Sequence, residues 1–407
     1  MKIDAEDKIL AVLRQESKNI ARYELFGVCR NAIFDLFTML MVITNAAIEE
    51  TSLEITSKSP IADTIFYHLN QKLTIEKIEE MLKHSVRRSA KLLKRRFGGR
   101  KFAIAIDFTE EMYYGDKSNP FVVGTKPKAG TYYAYRYLTT NIVVKGCRFF
   151  LFAYPFFKET DKLWLVNRAL VFLEELGIQS YVILLDREFY TTDMVAMMGE
   201  KYRYIIPVRQ DSKFENWVKR CGNLPALVSG WRLSNILHEE VETNLVILDE
   251  MKNNETHVYG YITNLPVEFY RTDPYVLSEL YSRRWGIETS HRVEDNFRLK
   301  TTSKNGIVRY LFFAIGLLLY NLWVLINLLF CLDVLKFSIQ IKVDEMKKIV
   351  AQVFNDFWDF VCSPERWFAF GLGGELQRRV FLVGEQLTDG LQVGMHAFKL
   401  QSKSSGI

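Results

Sequence analysis

The chain has 407 residues, of which 49% are hydrophobic and 25% are charged, so it is long enough for two or three domains and too apolar to be largely disordered. Its net charge of +5 at pH 7 permits a nucleic-acid partner without establishing one. The five cysteines form no Cys-x2-Cys pair, which argues against a zinc site or a disulfide framework and favours a reducing compartment. Because the opening MKIDAEDKIL is charged throughout, we expect no signal peptide and a cytoplasmic location.

Residues 1–97 are predicted to form a helical domain, because apolar residues recur there at helical spacing. Positive charge is concentrated near its end: the stretch from Met81 to Lys101 contains Lys and Arg but no Asp or Glu. Several of these basic residues fall on one helix face, opposite an apolar stripe. A solvated surface is one interpretation, but the absence of balancing acids favours a face that binds DNA phosphates. The candidate DNA-binding residues in this helix are Arg87, Arg88, Lys91 and Arg95.

Residues 98–202 are predicted to form the first part of an α/β core. Gly98 and Gly99 end the basic helix, and the buried strand KFAIAID then finishes in Asp107. Two aromatic and β-branched segments follow as antiparallel strands, and an amphipathic helix leads to a second buried strand, SYVILLD, which finishes in Asp186. Three consecutive strands, a helix and a further strand are the element order of a ribonuclease H-like core.

The predicted secondary structure changes twice in the second half of the chain. Residues 203–270 contain short strands separated by Gly, Asn and Pro, which indicates a β-rich insertion. A helical pattern returns over residues 271–335, which we assign to the second part of the core. Residues 336–407 are predicted to form a C-terminal helical region.

One apolar segment, from Tyr310 to Cys331, has two interpretations. It contains no charged residue and is long enough to span a membrane. The alternative is a helix buried in a large core, in which Asn321 and Asn327 would be tolerated.

The two aspartates that end buried strands are candidates for a functional site. In open α/β sheets, ligands bind at the carboxyl ends of strands. A single aspartate at such a position often only caps the next turn. Two of them, Asp107 and Asp186, in strands that can be neighbours, are better evidence for a site.

A third carboxylate follows in the stretch from Tyr281 to Lys300. Projected as a helix at 100° per residue, Tyr281, Arg284, Glu288 and Arg292 share one face. A ladder of surface salt bridges is one interpretation of this face. In the other, Glu288 joins the two aspartates, and their mutual repulsion is relieved by Mg²⁺ or Mn²⁺. Two such ions about 4 Å apart can promote phosphodiester cleavage, while arginine and tyrosine side chains hold phosphates.

With these motifs, the sequence resembles the DDE transposases of bacterial and archaeal insertion sequences, in the group with a Tyr-x2-Arg-x3-Glu-x6-Lys signature. Tyr281, Arg284 and Glu288 have the signature spacing, and AIAIDFTE and VILLDREFYTTDMV resemble the first and second aspartate motifs of the group. The resemblance covers residues 95–330 and implies that Tyr281 and Arg284 contact phosphates near the cleaved end. The implied triad, which catalyses the reaction and binds two Mg²⁺ or Mn²⁺ ions, is Asp107, Asp186 and Glu288.

One position departs from the signature, because Asp295 stands where the group has a lysine. Arg292 shares the face of Glu288 and can replace that lysine, whereas Lys300 can do so only if the helix has ended before it. The departure also leaves open a decayed enzyme. In the insertion, Trp231 is a candidate for stacking on a flipped base, as in hairpin-forming relatives, or is simply a structural tryptophan.

The resemblance implies a cut-and-paste DNA transposase, a cytoplasmic protein associated with the nucleoid and not with a membrane. Its partners would be DNA, as terminal inverted repeats and as target, and a second copy of the chain in a synaptic homodimer. Three alternatives remain: a catalytically decayed descendant that only binds DNA, a ribonuclease H-like nuclease without strand transfer, and a single-span membrane protein.

Overall fold

A computed structural model describes residues 36–56, 62–144, 147–199, 201–237, 239–253, 255–285, 295–330 and 342–348. The helices in these ranges are α1 (Leu36–Ile48), α2 (Ala62–Lys72), α3 (Ile75–Arg96), α4 (Lys162–Glu175), α5 (Thr192–Met198), α6 (Ser212–Cys221), α7 (Val276–Ser282) and α8 (Gly306–Phe330). The strands are β1 (Phe102–Met112), β2 (Val122–Lys128), β3 (Thr131–Val144), β4 (Cys147–Phe156), β5 (Ser180–Leu185), β6 (Tyr204–Pro207), β7 (Ala226–Ser234), β8 (Glu240–Lys252) and β9 (Glu255–Thr263).

The described strands form one mixed sheet in the order β2-β3-β1-β5-β6-β9-β8-β7, and β4 also pairs with β3. β1 lies between β3, to which it is antiparallel, and β5, to which it is parallel. β6 continues the parallel part beside β5. This mixed α/β sheet has the strand order and directions that the ribonuclease H-like prediction requires, with β1, β3 and β4 as the meander.

The predicted β-rich insertion extends the same sheet. β7, β8 and β9 are antiparallel to one another, and β9 pairs with β6 through the register Ile206 to Ile262. β6 lies inside the range predicted for the insertion, yet it pairs with a strand of the core. The domain boundaries proposed from the sequence stay predictions.

Helix α3 carries the basic face predicted to bind DNA. The hydroxyl of Thr74 caps its start by accepting a hydrogen bond from the backbone N–H of Lys77 at 3.3 Å. Gly98, with φ of +63°, follows its end in a conformation that favours glycine. The apolar stripe, including Leu82, Val86 and Leu93, is buried because α3 packs against β4 and α8. The helix is therefore packed against the sheet, with its other face outward.

Helix α8 is long and apolar enough to cross a membrane, but 89% of its most apolar segment is buried within the protein. Its polar side chains have partners there. Asn321 donates a hydrogen bond to the carbonyl oxygen of Phe150 at 2.8 Å and accepts one from the N–H of the same residue at 2.9 Å. These backbone groups lie where the β3–β4 register shifts, so Asn321 satisfies polar groups freed by a bulge. Asn327 donates to the carbonyl oxygen of Trp323. These contacts favour the interpretation of a core helix.

Alternation along β1 and β5 decides which residues face each side of the sheet. Ile104 and Ile106 join the larger apolar cluster, whereas Ala103 and Ala105 face a smaller cluster that includes residues of α7. In β5, Val182 and Leu184 face this smaller cluster as well. Successive side chains point to opposite faces of a strand, so the next residue in each series, Asp107 and Asp186, also points to the side covered by α7.

Candidate active site

Asp107 and Asp186 lie side by side where the parallel pairing of β1 with β5 ends. β1 itself continues to Met112 beside β3, so the prediction that this strand finishes in Asp107 was wrong. Ile106 of β1 is opposite Leu185 of β5, and each aspartate is the next residue along its strand. Asp186 has extended backbone angles and starts a short 3-10 helix at Arg187, so the strand alternation continues to it. The sequence predicted that the two carboxylates could be neighbours, and the pairing of β1 with β5 brings them together.

The guanidinium of Arg284 bridges the two aspartates. Its Nη1 donates to Oδ2 of Asp107 at 2.5 Å, and its Nη2 lies 3.4 Å from Oδ1 of Asp186. Arg284 follows α7 in a 3-10 turn, Arg283–Trp285, and α7 covers the face to which both aspartates point. The position of one helix on the sheet therefore aims this side chain at both carboxylates.

Arg284 is a buried and permanent positive charge. Only 8% of the residue is exposed. Burial lowers the pKa of its guanidinium, but Asp107, Tyr281 and Asp186 outweigh burial and raise the pKa above its usual value. The guanidinium therefore stays charged beside the two aspartates.

Tyr281 supports the guanidinium of Arg284. The Arg284 carbon Cζ lies 5.2 Å from the centre of the Tyr281 ring, and that ring lies 5.0 Å from the ring of Tyr261. Tyr281 is 5% exposed. Burial raises the pKa of its hydroxyl far above the usual value, and Arg284 opposes this effect without cancelling it. The Tyr281 side chain is thus uncharged and packs against Arg284.

The two aspartates differ in their environment. The Asp107 side chain is 15% exposed, and its Oδ1 accepts a hydrogen bond from the N–H of Phe108 at 2.9 Å. The Asp186 side chain is 40% exposed. The solvent side of the pair is therefore the side of Asp186.

A second cluster of charges lies beside this pair. Arg136 of β3 stands opposite Glu110 of β1, so alternation places both side chains on the face of the sheet opposite to Asp107. Two nitrogens of Arg136 donate to the two carboxylate oxygens of Glu188, and Lys162 donates to one of those oxygens. The Arg136 guanidinium also lies 4.0 Å from the centre of the Phe108 ring. Glu188 is thus fixed by two cations two residues after Asp186.

The acids that adjoin the aspartates in the sequence have such partners too. Glu110 accepts a hydrogen bond from Thr125 at 2.6 Å and lies 3.4 Å from Nε of Arg136. Glu111 pairs with Arg309 of α8. These contacts are structural and indicate that neither glutamate is an additional acid of the site.

The chemistry of Asp107 and Asp186 fits a divalent cation such as Mg²⁺ or Mn²⁺, which prefers carboxylate oxygens. Both carboxylates point to one place and already share a cationic group there. Within the described ranges, no group of three or more His, Cys, Asp or Glu side chains is arranged to hold a metal ion. Mg²⁺ is commonly bound by one or two carboxylates and completes its coordination with water, so two aspartates are compatible with such an ion.

Several of the predicted site residues lie elsewhere or outside the described part of the chain. Glu288 and Arg292 are outside the described residues, as is the side chain of Arg88. On α3, Lys91 and Arg95 are exposed and Arg87 is half-buried. The structure thus brings Asp107, Asp186, Tyr281 and Arg284 together, with α3 as a separate basic surface.

The position of the missing signature lysine is occupied by a local ion pair. Asp295 begins a 3-10 turn, Asp295–Phe297, and its Oδ1 lies 3.1 Å from Nη1 of Arg298. The residues from Arg298 to Lys300 are not helical, and Lys300 is exposed. The condition under which Lys300 can replace the signature lysine is therefore met, because no helix extends to it.

The contacts of Trp231 are those of a structural side chain. It is 2% exposed, and its Nε1 donates to the hydroxyl of Tyr190 at 3.1 Å. Tyr190 follows the 3-10 helix that begins after Asp186. The hydrogen bond ties the insertion to the segment that carries the second aspartate.

Sequence reasoning missed two features of this site. It assigned Arg284 to DNA phosphates and did not foresee the ion pairs with Asp107 and Asp186. It also gave no role to Arg136 or Lys162. A signal for the second omission was present, since Arg136 interrupts a strand of aromatic residues, TYYAYRYL, and a buried arginine there requires an acidic partner.

Comparisons with known proteins concern the family and the fold of this chain. Residues 166–322 match the family model described as transposase DDE domain, a range that includes Asp186 and Glu288 and supports a DDE transposase. No curated protein matches the chain. Among solved structures, the chain is similar to the piggyBac transposase in a synaptic complex with hairpin DNA. The TM-score is 0.50 at 13% identity, covering 92% of this chain and 82% of the other. At that identity, the similarity concerns the fold.

Proposed function

We propose that this chain is a cut-and-paste DNA transposase with Asp107, Asp186 and Glu288 as its catalytic triad. The observation that carries the proposal is the adjacency of Asp107 and Asp186 where the parallel pairing of β1 and β5 ends, with a shared cation between them. The family match over residues 166–322 supports the class of reaction.

The chain's own residues would arrange the reacting groups. Asp107 is fixed by the N–H of Phe108, and the segment after Asp186 is fixed by Glu188 with its two cations. Rigid carboxylates of this kind are suited to bind metal ions in a defined geometry. Two Mg²⁺ or Mn²⁺ ions bound by the triad would supply an activated oxygen nucleophile and would neutralise the leaving oxygen of a phosphodiester.

The substrate we propose is the end of the element that encodes this chain. Hydrolysis would break the bond between phosphorus and the 3′ oxygen and would leave a 3′-hydroxyl on the element. That hydroxyl would then attack a phosphodiester in the other strand, which closes a hairpin on the element and releases a 3′-hydroxyl on the flanking DNA. Hydrolysis of the hairpin would restore the 3′-hydroxyl of the element, which would attack a phosphodiester of target DNA and release a 3′-hydroxyl there. The exposed Lys91 and Arg95 of α3 would bind the terminal inverted repeat through its phosphates.

A homodimer that holds two DNA ends is part of the proposal. The similar piggyBac transposase structure is a synaptic complex with hairpin DNA, and the shared fold makes the same kind of assembly our expectation here. The apolar helix α8 is assigned to the core, and no membrane partner is proposed.

Cleavage of a DNA end is the direct test. The substrate is a duplex that carries the inverted repeat flanking the gene, incubated with Mg²⁺. We expect the wild type to cut it, and we expect Asp107→Asn, Asp186→Asn and Glu288→Gln to lose about a thousandfold or more in rate. Lys219→Ala, an exposed change in α6, is the matched control.

Each other outcome selects a different function. Full activity in one of the three variants would remove that residue from the triad. Cutting without joining to target DNA would indicate a nuclease of the same fold. Specific binding without cutting by the wild type would indicate a decayed enzyme, which Asp295 at the lysine position would then explain.

A further inference from the structure

The middle residue of β1 is Asp107, and the two ends of this strand lead to different basic surfaces. β1 runs from Phe102 to Met112. Each end therefore lies about 17 Å along the strand from Asp107, and the two ends are about 34 Å apart. A surface beyond one end of β1 is thus well separated from a surface beyond the other, with the aspartate between them.

The basic end of α3 lies beyond the start of β1. Lys94 donates a hydrogen bond to the carbonyl oxygen of Gly177 at 2.7 Å, in the turn that leads to β5. Because β1 and β5 are parallel, both strands begin at this end of the sheet. The exposed Lys91 and Arg95 are within one helical turn of Lys94. They therefore lie at the end of the sheet away from the two aspartates.

The other end of β1 leads to a β-hairpin formed by β2 and β3. β3 pairs with β1 as far as Met112 and also with β2. The turn between β2 and β3 contains Ala129 and Gly130, with φ of +51° and +81°, and positive φ at both central residues suits the twist of a two-residue hairpin turn. The hydroxyl of Tyr114 donates to the carbonyl oxygen of Ala129 at 2.7 Å. The β-hairpin is thus held in place beyond Asp107.

The β-hairpin and the loop before it carry three exposed lysines, Lys117, Lys126 and Lys128, which we call the hairpin surface. Other exposed lysines have acidic partners, such as Lys201 and Lys252 at 2.6 and 2.9 Å from glutamate oxygens. The three lysines of the hairpin surface form no ion pair with any residue that the structure describes. Their charges are therefore available to an external anion.

Asp116, the one acid between Tyr113 and Tyr133, does not neutralise this surface. Its carboxylate accepts hydrogen bonds from the N–H and the hydroxyl of Ser118 at 2.9 and 2.7 Å. These bonds, together with Lys304 and Lys158, lower the pKa of the Asp116 carboxyl. Two further lysines thus lie close to the single acid, and positive charge is in excess.

We infer that the hairpin surface binds phosphates of the flanking DNA, on the side of the cleaved bond that lies outside the element. This inference rests on the proposed function, in which α3 binds the terminal repeat and Asp107 lies at the cleaved bond. Since α3 and the hairpin surface lie beyond opposite ends of β1, a duplex at Asp107 reaches them on opposite sides of that bond. Phosphate contacts carry no sequence information, which suits DNA that is not part of the element.

The length of β1 sets how much flanking DNA this contact needs. The distance of about 17 Å from Asp107 to the end of the strand corresponds to about five base pairs, because base pairs are about 3.4 Å apart. A flank of about twelve base pairs is therefore long enough to reach the hairpin surface, and a duplex that ends at the cleaved bond is not.

Salt-dependent DNA binding by the full-length chain, measured by fluorescence anisotropy, tests the inference. The probes carry the inverted repeat with no flank or with a flank of about twelve base pairs. Each phosphate contact adds about 0.9 to the slope of log affinity against log salt concentration. On the flanked duplex, we expect Lys117→Gln, Lys126→Gln and Lys128→Gln combined to lower this slope by about 2.7. On the duplex without a flank, the slope should equal that of the wild type.

The matched control combines Lys201→Gln, Lys219→Gln and Lys252→Gln, three exposed positions elsewhere with the same change in net charge. This control should bind both duplexes as the wild type does. Arginine at the three positions of the hairpin surface keeps the charge and should restore the slope. If the triple glutamine variant aggregates, Lys117→Gln alone, which lies outside β2, should still lower the slope on the flanked duplex by about 0.9.

The remaining outcomes overturn the inference or the proposed function separately. An unchanged slope on the flanked duplex would overturn the inference and leave the lysines as protection of the edge strand β2 against pairing with other chains. An equal loss of slope on both duplexes would place these lysines on the element and would also overturn it. Failure of the wild type to cut either duplex with Mg²⁺ would count against the proposed function, while the binding slopes would still decide which DNA the lysines contact.

Discussion

The two charged clusters at the end of β1 lie on opposite faces of the same sheet and are built differently. On one face, Asp107 and Asp186 share the guanidinium of Arg284. On the other, Glu188 receives hydrogen bonds from Arg136 and Lys162. Glu188 is held by two cations, of which Arg136 also contacts Glu110, whereas one guanidinium contacts both aspartates. The two clusters therefore differ in how their carboxylates are held, and we expect them to respond differently to substitution.

Substitution of one carboxylate in each cluster should give the largest contrast. Glu188→Gln removes the charge that pairs with the half-buried Arg136, so we expect the free energy of unfolding to fall by about 2 kcal/mol. Asp186→Asn should leave that free energy unchanged or raise it, because the repulsion between two carboxylates is relieved. Urea denaturation measures both values. Equal losses in the two variants would contradict the distinction between the clusters.

The second-largest effect should be on the pH dependence of stability, to which Glu188 contributes through its lowered pKa. Burial alone would raise the pKa of Glu188, but hydrogen bonds from Arg136 and Lys162 lower it below its usual value. The stabilisation by Glu188 is therefore fully present above its unfolded pKa of about 4.3, and it is lost as the pH falls through the lower folded pKa.

The measurement is the difference in unfolding free energy between the wild type and Glu188→Gln as a function of pH. We expect this difference to be constant above about pH 5.5 and to shrink below about pH 4. A difference that grows on acidification would show that the carboxylate is not stabilised by its two cations.

The smallest effect should come from the more exposed cation of the structural cluster. The Lys162 side chain is 40% exposed, whereas that of Arg136 is 14% exposed. We expect Lys162→Ala to lower the free energy of unfolding by less than about 1 kcal/mol, because Arg136 still holds both oxygens of Glu188. A loss as large as that of Glu188→Gln in the same urea titration would show that Lys162 is the main partner.

The sequence predicted local features of the fold and the site well. The apolar run before Asp186 was sufficient to place that residue at the end of β5, whereas β1 continues past Asp107 to Met112 because it pairs with β3 there. The basic face and the buried stripe of α3 followed from helical spacing. The pairing of β1 with β5 was predicted only as a possibility, because the residues of a strand do not specify which other strand it pairs with.

Long-range pairings could not be predicted from the sequence. Arg136 and Glu188 are brought into contact by the order of the strands in the sheet. Likewise, β9 extends the sheet because β6 has backbone groups available for pairing on the side away from β5. The projection of Tyr281 to Lys300 as one helix also failed in its described part, because α7 ends at Ser282 and Arg284 lies in a 3-10 turn. Arg284 therefore points to the aspartates, a partnership that helical spacing could not reveal.

The extension of the sheet by β9 affects how the chain can be truncated. β6 has four residues and is paired on both sides, with β5 and with β9. Removal of the segment after β6 would leave an apolar strand with an open row of backbone donors and acceptors, which is a template for aggregation. β9 thus also protects the edge of β6, and a shortened chain must keep β9 or replace it.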